Sequence, residues 1–209
     1  MKISYLGHSA VFITASNGES LLFDPFTKIG YEMCPIFPTV CSISHNHYDH
    51  NYIDGAIGAK AIVYDKKAVV GAFIIQSFKS FHDEEKGKLR GENFIKKVTV
   101  DGISICHMGD FGENPDNFDF SPIKEVDLLF IPVGGNYTID AKNAFKCIQK
   151  INPKFIIPIH YKTEKSKIDI ALIDEFLSLF DKEDISHANS TVDFNDLKTK
   201  ITVMQIKED

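Results

Sequence analysis

Long apolar runs are missing from this 209-residue chain: no stretch approaches the roughly 18 residues a membrane-spanning helix needs. The opening Met1-Lys2-Ile3-Ser4-Tyr5-Leu6-Gly7-His8 has one basic residue and meets His8 before any apolar run forms, so it lacks the shape of a signal peptide. Cysteine is sparse. Cys34, Cys41, Cys106 and Cys147 form no C-x-x-C pair, which argues against a zinc ribbon or a disulfide framework and fits a reducing cytoplasm. Positive charge is in deficit, with 23 Lys and Arg against 29 Asp and Glu and a net charge of −6. That balance repels a phosphate backbone at long range, and the short lysine groups Lys96-Lys97 and Lys162 to Lys167 are interleaved with other residues, so nucleic acid is disfavoured as a partner. A membrane partner is not expected, and oligomeric state is not legible. No composition break, charge block or internal repeat marks a linker, so residues 1–209 read as one domain.

What is present has the balance of a folded protein, with 44% hydrophobic and 25% charged residues. Period-two patterns predict strands at Lys2 to Leu6, Ala10 to Thr14 and Ser20 to Phe23, the last pair turned by Asn17-Gly18. Pro25 to Pro38 reads as a long loop, either a lid or an ordinary packed surface segment. Further strands are expected at Val40 to Ser44, Ala61 to Tyr64 and Phe73 to Phe78, then in a hairpin of Asn93 to Val100 and Ile103 to His107 turned by Asp101-Gly102. Buried strands follow at Asp127 to Ile131 and Phe155 to Ile159, flanking a helix that carries Ala141, Ala144, Phe145, Ile148 and Ile151 at helical spacing. A second helix is expected near Ile168 to Phe180, opened by Ser166-x-x-Asp169, with closing strands near Thr191 to Phe194 and Lys200 to Ile206. Periodicity alone supports a mixed α/β domain.

The densest chemistry is Ser44-His45-Asn46-His47-Tyr48-Asp49-His50. Composition alone would produce H-x-H-x-D-H in a chain of this length with a chance on the order of 10⁻³. Imidazole nitrogen and carboxylate oxygen are ligands for a borderline divalent ion, and donors at i and i+2 face one way from an extended chain. Four residues cannot close a two-metal site. Further ligands must come from His8, His82, His107, His160 or His187, or from carboxylates at strand ends such as Asp24 and Asp110.

Together with Phe81-His82-Asp83, Gly87-x-x-Arg90-Gly91, His107-Met108-Gly109-Asp110-Phe111-Gly112 and Pro158-Ile159-His160-Tyr161, the cluster resembles the metallo-β-lactamase-fold hydrolases over nearly the whole chain. Leu6-Gly7-His8-Ser9 and Leu22-Phe23-Asp24-Pro25 are similar to the branch containing ascorbate-6-phosphate lactonase-like proteins. The resemblance implies a four-layer αββα sandwich with two divalent metal ions at one edge. It assigns His45, His47 and His82 to a first metal, Asp49, His50 and His160 to a second, and Asp110 as the bridge, with Asp49 and Asp110 as the catalytic carboxylates. His107 competes with His82 for the first metal. Asp24 and His8 would orient ligands, Asp24 being equally readable as a turn cap. The assignment leaves His187 without a role, and Asp140 reads equally as a helix cap.

The implied reaction is hydrolysis of a small-molecule ester, lactone or phosphoester by a metal-activated water, with Zn2+ the first choice and Mn2+ or Fe2+ compatible with the ligands. Asp110 argues against β-lactam cleavage, and His47 argues against the oxygen-reducing diiron branch, which places Glu there. No G-x-S-x-G elbow offers a serine nucleophile. Lys162 is a candidate contact for a substrate anion. A phosphodiesterase acting on a cyclic nucleotide or RNA, and a non-catalytic metal-binding domain, are the alternatives.

Overall fold

A computed structural model describes residues 1–207; the last two positions of the expected 1–209 domain lie outside the described residues. The first five strands are β1 (Lys2–Gly7), β2 (Ala10–Thr14), β3 (Ser20–Phe23), β4 (Val40–Ser42) and β5 (Ala61–Val63). They join β13 (Thr191–Asp193) in a six-stranded sheet of order β13-β1-β2-β3-β4-β5. The remaining strands are β6 (Ala68–Val70), β7 (Phe73–Phe81), β8 (Glu92–Val100), β9 (Ile103–His107), β10 (Leu128–Pro132), β11 (Phe155–Ile159), β12 (Ile185–Ala188) and β14 (Ile201–Met204). They form an eight-stranded sheet of order β12-β14-β11-β10-β9-β8-β7-β6. Both sheets are mixed, with antiparallel meanders at one end and parallel strands at the other.

Alternation explains why the sheets stack. In β1 to β3, Ile3, Tyr5, Val11, Ile13, Leu21 and Phe23 enter one core cluster with Phe73, Ile75, Ile95, Val98, Ile105 and Phe130 of the larger sheet. Their neighbours Leu6, Ala10 and Leu22 point the other way, into a second, smaller cluster. At the β8–β9 turn both Asp101 and Gly102 have positive φ, 52° and 75°, the pairing a two-residue type I′ hairpin requires. Helix α1 (Ala141–Ile151) starts at Asp140, whose carboxylate accepts from Asn143 N, and stops at Asn152 in the left-handed region; its apolar stripe of Ala141, Ala144, Cys147, Ile148 and Ile151 joins the main core.

Helix is less abundant than the periodicity suggested. The segment read as a helix over Ile168 to Phe180 holds only α2 (Asp174–Leu177). Its start is recruited into tertiary pairing: Lys167 N, just before it, donates to Ile29 O, Ala171 N donates to Gly134 O, and Ala171 O accepts from Lys162 N, so this backbone is tied to other segments in place of its own helical carbonyls. Ser166 Oγ accepts from Ile168 N, a local turn in place of a helix cap. β6 and β12 are strands that the periodicity did not indicate, being short and half-exposed.

The Pro25–Pro38 segment is a packed layer. Phe26, Ile29, Met33 and Ile36 are buried against Leu22, Cys41 and Ile43, so this irregular stretch covers the outer face of the smaller sheet. Two sheets covered in this way remain an α/β sandwich, and the strand ends of both meet along one edge.

Candidate metal centre

Six chain segments deliver side chains to that edge, each leaving the end of a strand: His8 after β1, Asp24 after β3, His45 to His50 after β4, His82 after β7, Asp110 after β9 and His160 after β11. His8, Asp24 and His160 have φ of 52°, 42° and 51°, a left-handed conformation that non-glycine residues seldom adopt. Each stands where the chain must turn sharply while its side chain stays at the edge, and backbone strain of this kind concentrates at functional sites. His160 N donates to His8 O at 2.9 Å, and Phe94 N to Ser44 O at 2.9 Å, so the two sheets are stitched together beside the cluster.

Asp110 Oδ2 is the hub. It lies 3.0 Å from His82 Nε2, 3.1 Å from His50 Nε2, 3.3 Å from His160 Nε2 and 3.8 Å from His45 Nε2. The glycines of Gly109-Asp110-Phe111-Gly112 make that position reachable. A Cβ on Gly109 would collide with Asn93 Oδ1 and Ser44, and one on Gly112 with the His82 backbone. Asn93 Oδ1 then accepts from Asp110 N at 3.0 Å.

Asp24 sets two imidazole tautomers. Ser44 Oγ gives its single proton to Asp24 Oδ2 at 2.6 Å, so the contact between Ser44 Oγ and His45 Nδ1 at 2.9 Å requires the proton on Nδ1 and leaves His45 Nε2 with a bare lone pair. His50 Nδ1 lies 3.1 Å from Asp24 Oδ2, which directs Nε2 inward in the same way. Asp49 Oδ2 lies 3.3 Å from His8 Nε2 and 3.8 Å from His50 Nε2. His47 is half-buried, its ring 4.6 Å from that of His45 and 5.1 Å from that of His82.

Several buried donor atoms have no hydrogen-bond partner among the described residues: His45 Nε2, His50 Nε2, His82 Nδ1, His160 Nδ1 and Asp110 Oδ1. The contacts of His50 Nε2 to carboxylates are close in distance but lack hydrogen-bond geometry. Left bare, such atoms are costly; a cation at the hub would satisfy His45 Nε2, His50 Nε2 and Asp110 Oδ1, whereas His82 and His160 turn Nε2, not the unpartnered Nδ1, toward Asp110. Three groups have ligand atoms all within 4.8 Å of one another: His45, His47 and His82; His8, Asp49, His50 and His160; and His45, His50 and Asp110. The donor set therefore fits divalent ions.

The electrostatics agree with that fit. For Asp110, burial opposes charge, but His160, His50 and His82 outweigh it and hold the carboxyl well below its usual range. Asp49 is lowered too, burial being overcome by His50 and His8. His50 is raised well above its ordinary value, because Asp110 and Asp49 overcome the burial penalty; His82 is raised by Asp110 against the same penalty. A field that draws protons to this point draws a metal cation for the same reason. His45 and His47 are lowered, first by burial and then by His50 and His82 respectively. His8 is lowered to about 4 by burial and by His160.

The residues read as competitors or reserves fall elsewhere. His107 is fully buried away from the hub, with Nε2 2.9 Å from Ser9 O, Nδ1 accepting from Gly109 N at 3.1 Å, and its ring stacked on Phe23 at 4.7 Å. His187 is exposed on β12. Lys162 turns away from the cleft, its Nζ donating to Ile168 O at 2.6 Å. Ser44 and Asn93 take part in the site without having been singled out; only their adjacency to the motifs signalled them.

The cluster floors a cleft of about 740 Å³ walled by Ile29, Tyr48, Leu89, Arg90, Tyr137 and Ile168, among others. Comparisons with known proteins converge on the same chemistry. A profile of the beta-lactamase superfamily domain matches residues 2–160. A UPF0173 metal-dependent hydrolase of Carboxydothermus hydrogenoformans is 30% identical over 199 residues, covering 78% of this chain and 85% of that one. Another from Natranaerobius thermophilus is 25% identical, with 78% and 84% covered. The crystal structure of a Thermotoga maritima protein assigned to the zinc-dependent hydrolases of the metallo-β-lactamase superfamily superposes with a TM-score of 0.77 at 28% identity, covering 97% of each chain.

Proposed function

The chain belongs to the beta-lactamase superfamily, among its UPF0173 metal-dependent hydrolases, and from that membership we propose a two-metal hydrolase that cleaves an ester, lactone or phosphoester bond of a small molecule. In that reading His45, His47 and His82 would hold one ion and Asp49, His50 and His160 the other, with the Asp110 carboxylate available to both. The observation that carries the reading is the convergence of His45, His50, His82 and His160 within 3.8 Å of Asp110 Oδ2, with unpartnered buried donor atoms around it.

Two divalent cations, zinc first by ligand type, would supply Lewis acidity and a water of lowered pKa. The protein's part is to present lone pairs in fixed directions. Asp24 directs His50 and, through Ser44, His45; His8 steadies the Asp49 carboxylate; Asn93 and the flanking glycines hold Asp110 in place. The cleft volume suits a small molecule, and a polyanion such as nucleic acid is disfavoured by the net charge of −6. The opening motifs support a place near the ascorbate-6-phosphate lactonase-like branch. All four cysteines are free, which supports a cytoplasmic setting; no helix among the described residues is long and apolar enough to cross a membrane.

The test is metal analysis together with a panel of lactone, thioester, phosphomonoester and phosphodiester substrates on zinc- and manganese-loaded protein. Two ions per chain and hydrolysis of a small ester or lactone are expected, with Asp110→Asn and His47→Ala losing most of the rate. Turnover confined to phosphodiesters would favour the phosphodiesterase reading, and two tightly held ions with no turnover a binding domain. Full activity in both variants would remove the metal mechanism.

A further inference from the structure

Three cationic side chains from three separate loops line the cleft above the cluster: Lys28 from the Pro25–Pro38 layer, Arg90 from the loop between β7 and β8, and Lys167 from the segment after β11. None has an ion pair within 4.0 Å among the described residues, although the chain as a whole carries more acid than base. The lysine expected from the sequence to meet a substrate anion, Lys162, is occupied with Ile168 O.

The backbone that carries each cation is held in place. Asp83 is buried and accepts four backbone amides of its own loop: Glu85 N at 2.8 Å and Gly87 N at 2.9 Å on Oδ1, Leu89 N at 3.0 Å and Arg90 N at 2.8 Å on Oδ2. That cradle pins the backbone from which Arg90 rises, and the guanidinium rests over the Tyr137 ring, 5.6 Å from its centroid. Elsewhere in the lining, Lys167 N donates to Ile29 O at 2.7 Å, and a Cβ at Gly30 would collide with the backbone of Lys165 and Lys167, so the loops bearing Lys28 and Lys167 are seamed together. The carboxylates lining the cleft are Asp49 and Asp110 in the cluster and Asp169 at the mouth.

Resting on the reading of this cleft as the hydrolytic site, we infer that the substrate carries a compact oxyanion, phosphate or carboxylate, held by Arg90, Lys28 and Lys167 while its scissile bond lies over the metal cluster. A planar guanidinium fork suits a two-oxygen contact with either group, and the two lysines supply point charge from the same cleft lining. Leu89, 70% exposed, and the Tyr48 ring offer apolar contact to the uncharged part of the same molecule.

The test begins with metal-stripped protein, titrated calorimetrically with inorganic phosphate and with succinate. At least one anion is expected to bind the unsubstituted chain, and Arg90→Ala and Lys167→Ala each to weaken it roughly 10-fold, with melting temperature unchanged. Phosphate binding alone would identify a phosphorylated substrate, and succinate binding alone a carboxylated one. No binding, or equal binding by the unsubstituted chain and an Arg90→Ala/Lys28→Ala/Lys167→Ala triple variant, would overturn the inference. With metal restored, Arg90→Ala should raise KM for an anionic ester by a larger factor than KM for its neutral analogue. Loss of hydrolysis on every substrate, with phosphate binding intact in the stripped protein, would count against the hydrolytic reading and leave the anion site standing.

Discussion

Asp24 Oδ2 lies 3.1 Å from His50 Nδ1 and also accepts the Ser44 hydroxyl, so one buried carboxylate governs the direction of two imidazoles that face the hub. Its own charge is secured in return: burial opposes ionisation, but the His50 contact and the His107 ring lower its pKa below the usual value. Replacing it with alanine should weaken metal affinity by roughly 10- to 100-fold, measured by chelator competition. Unaltered affinity would show that His45 and His50 need no tautomer control.

His82 and His107 should separate cleanly. His82→Ala is expected to lose one ion per chain with little change in folding, whereas His107→Ala should keep its metal and lose about 3 kcal/mol of stability, because its ring fills the space beside Phe23 and satisfies Ser9 O and Gly109 N. Metal content by mass spectrometry and urea unfolding of the same two samples decide it. A reversed pattern would move His107 into the ligand set.

Asp83→Ala should act on the substrate end alone. Four amides lose their acceptor, the Arg90 loop relaxes, and the affinity for phosphate or succinate should fall nearly as far as in Arg90→Ala. The number of bound ions is expected to hold at the unsubstituted value, read on the same protein.

Lys96 predicts a pH effect. It is fully buried, its Nζ donating to Ser77 Oγ at 3.1 Å, and burial lowers its pKa from 10.5 to about 8 despite Asp24 and Asp65. Between those values the unfolded chain binds the extra proton, so this group's contribution to stability rises with pH across that window and is at its least favourable below pH 8. The full span is roughly 3 kcal/mol. Unfolding free energy measured from pH 7 to 10.5 should climb more steeply, or fall less, in the unsubstituted protein than in Lys96→Met. Parallel curves would mean the lysine is not desolvated in the native state.

Much of the architecture was legible because the β-strands alternate. Lys2–Gly7 to Ser20–Phe23 and the Asp101-Gly102 hairpin follow from side chains that alternate between two apolar clusters and from turn residues that tolerate positive φ. The helix expected over Ile168 to Phe180 failed for a reason no local pattern contains: Lys167 and Ala171 give their amides to Ile29 and Gly134, residues distant in the chain. Pro25–Pro38 was ambiguous because an irregular segment has no period, and only the burial of Phe26, Ile29, Met33 and Ile36 reveals it as a covering layer.

The order of residues in the chain was enough to specify which ligand types are present and that a metal is their natural use, since side-chain chemistry and the spacing of H-x-H-x-D-H travel with the sequence. It could not specify directions. That His82 meets Asp110 while His107 is turned to Ser9, that Ser44 and Asp24 set the tautomer of His45, and that Arg90 and not Lys162 faces the cleft all depend on which strand ends share an edge. Strand order is decided by long-range burial, as when β14 inserts between β11 and β12 and β13 crosses to pair with β1, and each such pairing turns every side chain on the strand toward one face or the other.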